Sequence, residues 1–321
     1  MRREYAILIG GSLGALIVLL SSCSTPSPAR KSDVELSRLA LSARRTFEQG
    51  QVEGASRLYQ KALDRARAAD NSAEIATNAY NLAVCLAALG KYDEARPYLE
   101  EAATELLRRG ADTTDVQLLE AKTAYLGGDP ERAKTIAEKA LGRGDALNPA
   151  ARVQFTILLA RISLDRNDPA GAKSGLALAT AEMAGISDPL LEAETAGLAG
   201  AVLSAESSFA AAGGEFDRQA AFCQTGEKYR EMAAALGKAG GAYLAAGKNR
   251  EAADRFFRSA RSYFAQGETI RSLKMIEEAL ATLDKETDAE TFGRIAALFD
   301  EIKKSVPATD EYRETAPVQH Q

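Results

Sequence analysis

The 321-residue chain contains no tryptophan, one histidine (His320), three cysteines, and aromatic residues at only 6%. With its only histidine at the second-last position, it offers no Ser–His or Cys–His nucleophile pair and no His-rich metal site. No basic block interrupts a formal charge of −5 in which both signs are interspersed, so nothing points to nucleic acid. The apolar share is 46%, ample for a core, and it consists mostly of alanine and leucine. That composition favours closely packed helices over a sheet.

There is one long apolar run, Ala6 to Leu20, preceded by Arg2 and Arg3 and closed by Leu20-Ser21-Ser22-Cys23. It is shorter than the ~20 residues that a helical membrane span needs. The order of basic, apolar and small residues before a cysteine resembles a bacterial lipoprotein signal peptide. The resemblance implies cleavage before Cys23, a diacylglyceryl group on its sulfur, and a further acyl chain, such as palmitate, on the new amine. Several chains at ~0.8 kcal/mol per buried CH₂ make a lasting anchor. Ser24 follows the cysteine, which under the enteric sorting pattern implies the outer membrane, facing the periplasm, with the inner membrane as the alternative. Residues 1–22 then form the signal peptide. Residues 23–32, with the sequence Ser-Thr-Pro-Ser-Pro-Ala-Arg-Lys after the cysteine, form the lipidated tether.

The rest of the chain keeps a beat of about twenty residues. Asp129-Pro130, Asn148-Pro149, Asp168-Pro169 and Asp188-Pro189 are helix starts, since Asx accepts from the orphan N–H groups and proline gives up an N–H that needs no partner. Further starts are expected near Asp33, Gln51, Ser72, Lys91, Thr114, Thr225, Asn249, Glu268 and Asp288. Fourteen helices in seven antiparallel pairs are predicted over 33–304, with 305–321 as a disordered tail. The fifth pair is the irregular one. Leu190 to Ala212 could run as one long helix, and Gly213-Gly214 does not align with the other repeats. Pro97, past the first turn of its helix, requires a late helix start or a kink.

A second pattern is anchored on turn residues Gly50, Gly90, Gly128, Asn167 and Gly247, which permit the left-handed conformation that ends a helix. Seven residues earlier stand Ala43, Ala83, Ala121, Ala160 and Gly240. Five residues later come Ala55, Ala95, Ala133, Ala172 and Ala252. At +9 the side chain varies in size (Tyr59, Leu99, Ala137, Leu176, Phe256), and at +12 come Ala62, Ala102, Ala140, Ala179 and Ser259. This signature resembles the tetratricopeptide repeat, with a longer period than that family's 34 residues. The resemblance implies an all-α solenoid of about seven antiparallel helix pairs wound as a right-handed superhelix.

Little catalytic chemistry remains. Cys85 has apolar neighbours and Cys223 lies many repeats away, too far for the ~7 Å that a disulfide allows, so both read as small buried hydrophobes. Carboxylates sit at helix starts or on exposed faces. Gly237-Lys238-Ala239-Gly240-Gly241 lies inside a helical repeat and reads as close helix packing rather than a phosphate loop. No enzyme, no metal and no cofactor beyond the covalent lipid are expected.

In tetratricopeptide arrays the first helix of each pair lines a groove. The corresponding offsets here are Arg44 and Phe47; Tyr80, Asn81 and Val84; Leu118, Lys122 and Tyr125; and Ile157, Arg161 and Leu164. Asn81 matches a position where the family places an asparagine that contacts ligand backbone, and Arg44, Lys122 and Arg161 suit an acidic segment or a chain terminus. The resulting expectation is a lipid-anchored scaffold that binds other envelope proteins or peptides. The rival readings are a small-molecule-binding protein or enzyme built on a helical solenoid, with its pocket around Phe209 to Tyr229, and a purely structural spacer.

Overall fold

The structure is a computed structural model that describes residues 33–305. Cys23, the tether and the tail lie outside those residues. Fourteen α-helices follow in order: α1 (Val34–Glu48), α2 (Val52–Ala68), α3 (Ser72–Ala88), α4 (Tyr92–Arg108), α5 (Thr114–Leu126), α6 (Pro130–Leu141), α7 (Pro149–Asp165), α8 (Pro169–Glu182), α9 (Pro189–Ala205), α10 (Phe209–Thr225), α11 (Tyr229–Ala245), α12 (Asn249–Ala265), α13 (Thr269–Thr282) and α14 (Ala289–Ser305). A single 3-10 turn, Gly144–Ala146, precedes α7. The described residues contain no strand and no helix long and apolar enough to cross a membrane.

Helix length explains the long repeat. Most of the helices have 17 residues, and a three-residue link completes the beat of twenty. The three-residue links share one construction. A residue with φ near +60° to +80° follows the helix, as at Gly50 and Gly90. The next N–H then reaches back to a carbonyl of the last turn (Gln51 to Thr46 at 3.1 Å, Lys91 to Leu86 at 2.9 Å). Asp129, Asn148, Asp168 and Asp188 each accept from first-turn N–H groups through their side chains, as their Asx-Pro steps imply.

Consecutive helices pack side by side, and α3, α5, α7 and α9 also touch in succession, so these odd-numbered helices form a continuous row. Apolar burial runs along the array as neighbouring clusters rather than around one centre, as expected of a quasi-one-dimensional solenoid. Ala55, Ala95, Ala133, Ala172 and Ala252 are completely buried, as are Ala43, Ala83 and Ala121. The serine that replaces alanine at Ser259 is also buried, and its hydroxyl donates to the Ala233 carbonyl across the α11–α12 contact at 2.7 Å. Side chains one repeat apart add polar ties, among them Arg67 on Glu101 (2.8 and 2.6 Å) and Tyr98 on Gln60 (2.9 Å).

Four details differ from the sequence expectation. The fifth pair is regular: α9 ends at Ala205 and α10 begins at Phe209, with Ser207 at φ 58° in the turn position. With the turn set at 207, Gly200 falls at −7, Ala212 at +5 and Phe216 at +9, as in the other pairs. The long helix over Leu190 to Ala212 is therefore wrong, and Gly213 is helical because the Tyr243 ring packs against it. The following helix starts at Tyr229, not near Thr225, because Glu227 holds the left-handed turn. Pro97 causes no late start, since α4 begins at Tyr92 and runs through it. Finally, α14 extends to Ser305, one residue beyond the expected boundary.

The positions at −7 and +9 fit each other across the hairpin. A Cβ on Gly200 would stand 2.6 Å from the Phe216 ring, and one on Gly240 2.8 Å from the Phe256 ring. Gly241, the next residue, has open space around its Cβ direction. The two glycines therefore respond oppositely to the same change. Gly240→Ala should destabilise by ~1–3 kcal/mol through overpacking, whereas Gly241→Ala should stabilise by ~0.5–1 kcal/mol through helix propensity. Urea denaturation of each variant measures both signs; equal effects would contradict the assigned contact.

Candidate functional site

The odd-numbered row carries most of the sequence-selected residues, but only some of them meet. At the first hairpin, Arg44 Nε donates to Glu48 Oε1 on its own helix at 2.8 Å, so this guanidinium already has a partner. Phe47 and Tyr80 are half-buried against the N-terminal core cluster. Burial, and then the Asp115 carboxylate, holds the Tyr80 phenol above its ordinary pKa. Asn81 and Val84 lie beside it on α3, both half-buried.

Lys122 and Tyr125 from α5, with Ile157 and Arg161 from α7, come together around a cleft of about 160 Å³. Ile157 and Leu158 are buried and supply an apolar floor. The remaining wall comes from Leu126, Gln154 and Glu194. Lys122 Nζ donates to Gln154 Oε1 and to Glu194 Oε1, both at 3.1 Å, tying α5 to α7 and to α9. Tyr125 Oη donates to Asp165 Oδ2 at 2.6 Å. Burial, followed by that bond and the Asp165 charge, pushes its pKa up to about 12. The phenol therefore stays protonated and fixes its ring against the cleft. Leu118 and Leu164 do not line it; they are partly buried against neighbouring core clusters.

Two participants were missed. Gln154 and Glu194 stand thirteen residues before the turns at 167 and 207, an offset the sequence mapping did not use; Glu194 could not be placed until Ser207 was known to be a turn. Lys238 on α11 does not line the cleft. Its side chain is open to solvent but flanked by protein, and desolvation, then the Arg161 charge, holds its pKa below the ordinary lysine value. Its Nζ stands 5.9 Å from the Phe216 ring centroid. The glycines on either side of it had drawn the whole segment into a packing role. That reading is right for Gly240 but leaves out the lysine between them.

Two other clefts are less equipped. One of about 300 Å³ is bounded by Leu176, Met183, Ile186 and Phe222, and its guanidinium, Arg218, is already paired with Glu215 at 2.8 Å. This is the region where the rival enzyme reading requires convergent polar groups. The other, of about 440 Å³, lies between α2 and α4 around Tyr98 and Pro97 and is broadly open. No group of three His, Cys, Asp or Glu among the described residues is placed to hold a metal.

Comparison with known proteins gives the fold. Residues 43–109 match the tetratricopeptide repeat model. No curated protein matches the chain. Among solved structures it is similar to the apo form of the quorum sensor NprR from B. thuringiensis (TM-score 0.53, 11% identity, 84% of this chain and 87% of that one). It is also similar to BtubC (BKLC) from P. vanneervenii (TM-score 0.50, 20% identity, 73% of this chain and 93% of that one). At these identities the likeness is one of fold. The chain is an all-α, tetratricopeptide-like solenoid, an architecture that suggests a protein–protein interaction scaffold and is typically non-enzymatic.

The two buried cysteines give a direct check on this chemistry. Burial pushes the Cys85 thiol up to about 11 and raises that of Cys223 as well. Thiolate is the reactive form, so at pH 8 both should resist iodoacetamide in the folded protein and react fully in urea. Mass spectrometry of residues 24–321 reads the result. Alkylation of folded Cys85 at the rate of a free thiol would contradict its burial.

Proposed function

We propose that this protein is a lipid-anchored adaptor of the bacterial cell envelope, whose odd-numbered helices hold an extended or helical segment of another envelope protein. The observation that carries the reading is the cleft at Lys122, Tyr125 and Arg161. Residues chosen from sequence by a groove-facing offset converge there on an apolar floor, with donors at the rim. Such a combination suits a peptide, because apolar contacts supply affinity and a few polar groups set register. The anchor follows from Leu20-Ser21-Ser22-Cys23; it confines the solenoid to a membrane surface, by the sorting pattern the outer membrane, and raises the effective concentration of a membrane-associated partner.

The volume of this cleft weighs against a metabolite at the Lys122–Arg161 site. Sites that enclose a metabolite-sized ligand span ~300–1,000 Å³, and this cleft has about 160 Å³. It is large enough to seat one or two side chains of a longer segment. The separate cleft at Phe222, of about 300 Å³, is in the metabolite size range.

Photo-cross-linking in cells tests the groove. A photoreactive amino acid at Tyr125 should capture one envelope protein reproducibly, and the same probe at Leu107, exposed on α4, should not. Identical recovery from the two positions, or none from Tyr125, would count against the groove. Cys23→Ala should abolish labelled-palmitate incorporation and leave residues 1–22 attached. Incorporation that persists in this variant would contradict the anchor.

A further inference from the structure

We propose that the outer face of α1 lies on an anionic phospholipid surface, with Arg38 and Arg45 on the headgroup phosphates and Val34 and Leu41 against the upper acyl chains. The proposal rests on the lipid anchor at Cys23 proposed above and says which part of the solenoid that anchor brings to the membrane.

The first argument is one of helix geometry. Val34, Arg38, Leu41 and Arg45 are four, three and four residues apart, so they share one stripe covering about 60° of the helix surface. Leu36 and Ala43 point the other way, into the N-terminal core cluster. Val34 is 77% exposed and Leu41 49% exposed, while both arginines are open to solvent. Aliphatic residues alternating with arginines on a face turned away from the core are the composition of a helix that lies in a membrane interface. There the guanidiniums reach phosphate oxygens while their methylene stems stay with the apolar side chains.

The second argument is one of charge. The acidic residues of α1 and its cap are already engaged: Asp33 and Glu35 by Arg65 of α2 at 2.6 and 2.7 Å, and Glu48 by Arg44 at 2.8 Å. Arg38 and Arg45 are left with no carboxylate within ion-pair distance among the described residues. The stripe is therefore a positive site on a chain of net charge −5, so an anionic surface attracts this face while the net charge opposes other orientations. The third argument is one of reach. Cys23 and Asp33 are ten residues apart, a separation of at most about 35 Å. Lipid on Cys23 keeps the start of α1 within that distance of the bilayer, and Arg30 and Lys31 add charge of the same sign in the tether. Helix α1 is also the first of the described array, and the following hairpins stack on its buried side.

Fluorescence of the full chain, purified with its lipid and reconstituted in vesicles, tests this. An environment-sensitive fluorophore is attached at Leu41→Cys, or at Ile270→Cys in α13, where the native side chain is 73% exposed. The vesicles are phosphatidylcholine, or an equal mixture of it with phosphatidylglycerol, and a nitroxide-labelled lipid serves as quencher. In the mixture, quenching at position 41 should exceed that at 270 at least about fivefold. It should fall at least about fivefold without phosphatidylglycerol, or with Arg38→Ser and Arg45→Ser together and circular dichroism unchanged. Arg38→Lys with Arg45→Lys should retain it. Equal quenching at 41 and 270 overturns the proposal, as does quenching at 41 that survives the loss of phosphatidylglycerol or of the two arginines. A blue shift at 41 that grows with protein concentration in detergent, without quenching in vesicles, puts a second copy of the chain on the stripe and also overturns it. The mass of the Cys23 peptide reports the anchor separately. Lipidated protein whose position 41 is not quenched overturns the membrane face while the anchor stands. A Cys23 without lipid overturns both, because two arginines and two aliphatic residues do not hold a protein to a membrane on their own.

Discussion

The architecture depends on how closely the two helices of a hairpin approach, and that distance is set where the residue seven before each turn meets the one nine after it. Where the later residue is phenylalanine, the earlier one is glycine, as in Gly200 with Phe216 and Gly240 with Phe256. Where it is tyrosine or leucine the partner is alanine, and where both are small the pair is Ala121 with Ala137. Size is traded across the contact, so the hairpins keep one geometry while their sequences differ. Each hairpin can then stack on the next and bury a face that it cannot cover alone.

A functional surface follows from that regularity. Because α3, α5, α7 and α9 form one row, side chains at a fixed offset from their turns line up on a common face. Lys122 and Arg161 stand at the same offset in adjacent hairpins, and they share a cleft. Within it the polar groups differ in their freedom. Lys122 and Tyr125 are tied to Gln154, Glu194 and Asp165 and stiffen the wall. Arg161 is not tied to any carboxylate among the described residues. The cleft thus has an apolar floor, a stiffened wall, and Arg161 at its rim without an ion pair among the described residues.

The fold was legible in the sequence to the extent that the turns were. Glycine at 50, 90, 128 and 247 and asparagine at 167 announce a left-handed residue through their chemistry. Ser207 and Glu227 adopt the same conformation without being residues that advertise it, and the fifth pair and the start of α11 were misread for that reason. The surrounding packing holds these residues in a costly conformation. The site was legible in part. Lys122, Tyr125 and Arg161 could be selected by offset alone, whereas Glu194 could be placed only once Ser207 was seen to hold the turn. Arg44 was selected by the same rule, but Glu48, one turn later on its own helix, occupies it.

The trade of size across the hairpin can be tested by exchanging one version of the contact for the other. In the second hairpin, Leu99→Phe should destabilise by ~1–3 kcal/mol and Ala83→Gly by ~1 kcal/mol. Together they recreate the Gly–Phe pairing of the fifth and sixth hairpins. A double-mutant cycle by urea denaturation should give a favourable coupling of at least ~1 kcal/mol, the double variant being more stable than the sum of the single changes implies. Additivity within ~0.3–0.5 kcal/mol would mean that the two positions do not set the helix spacing together, and would contradict the account.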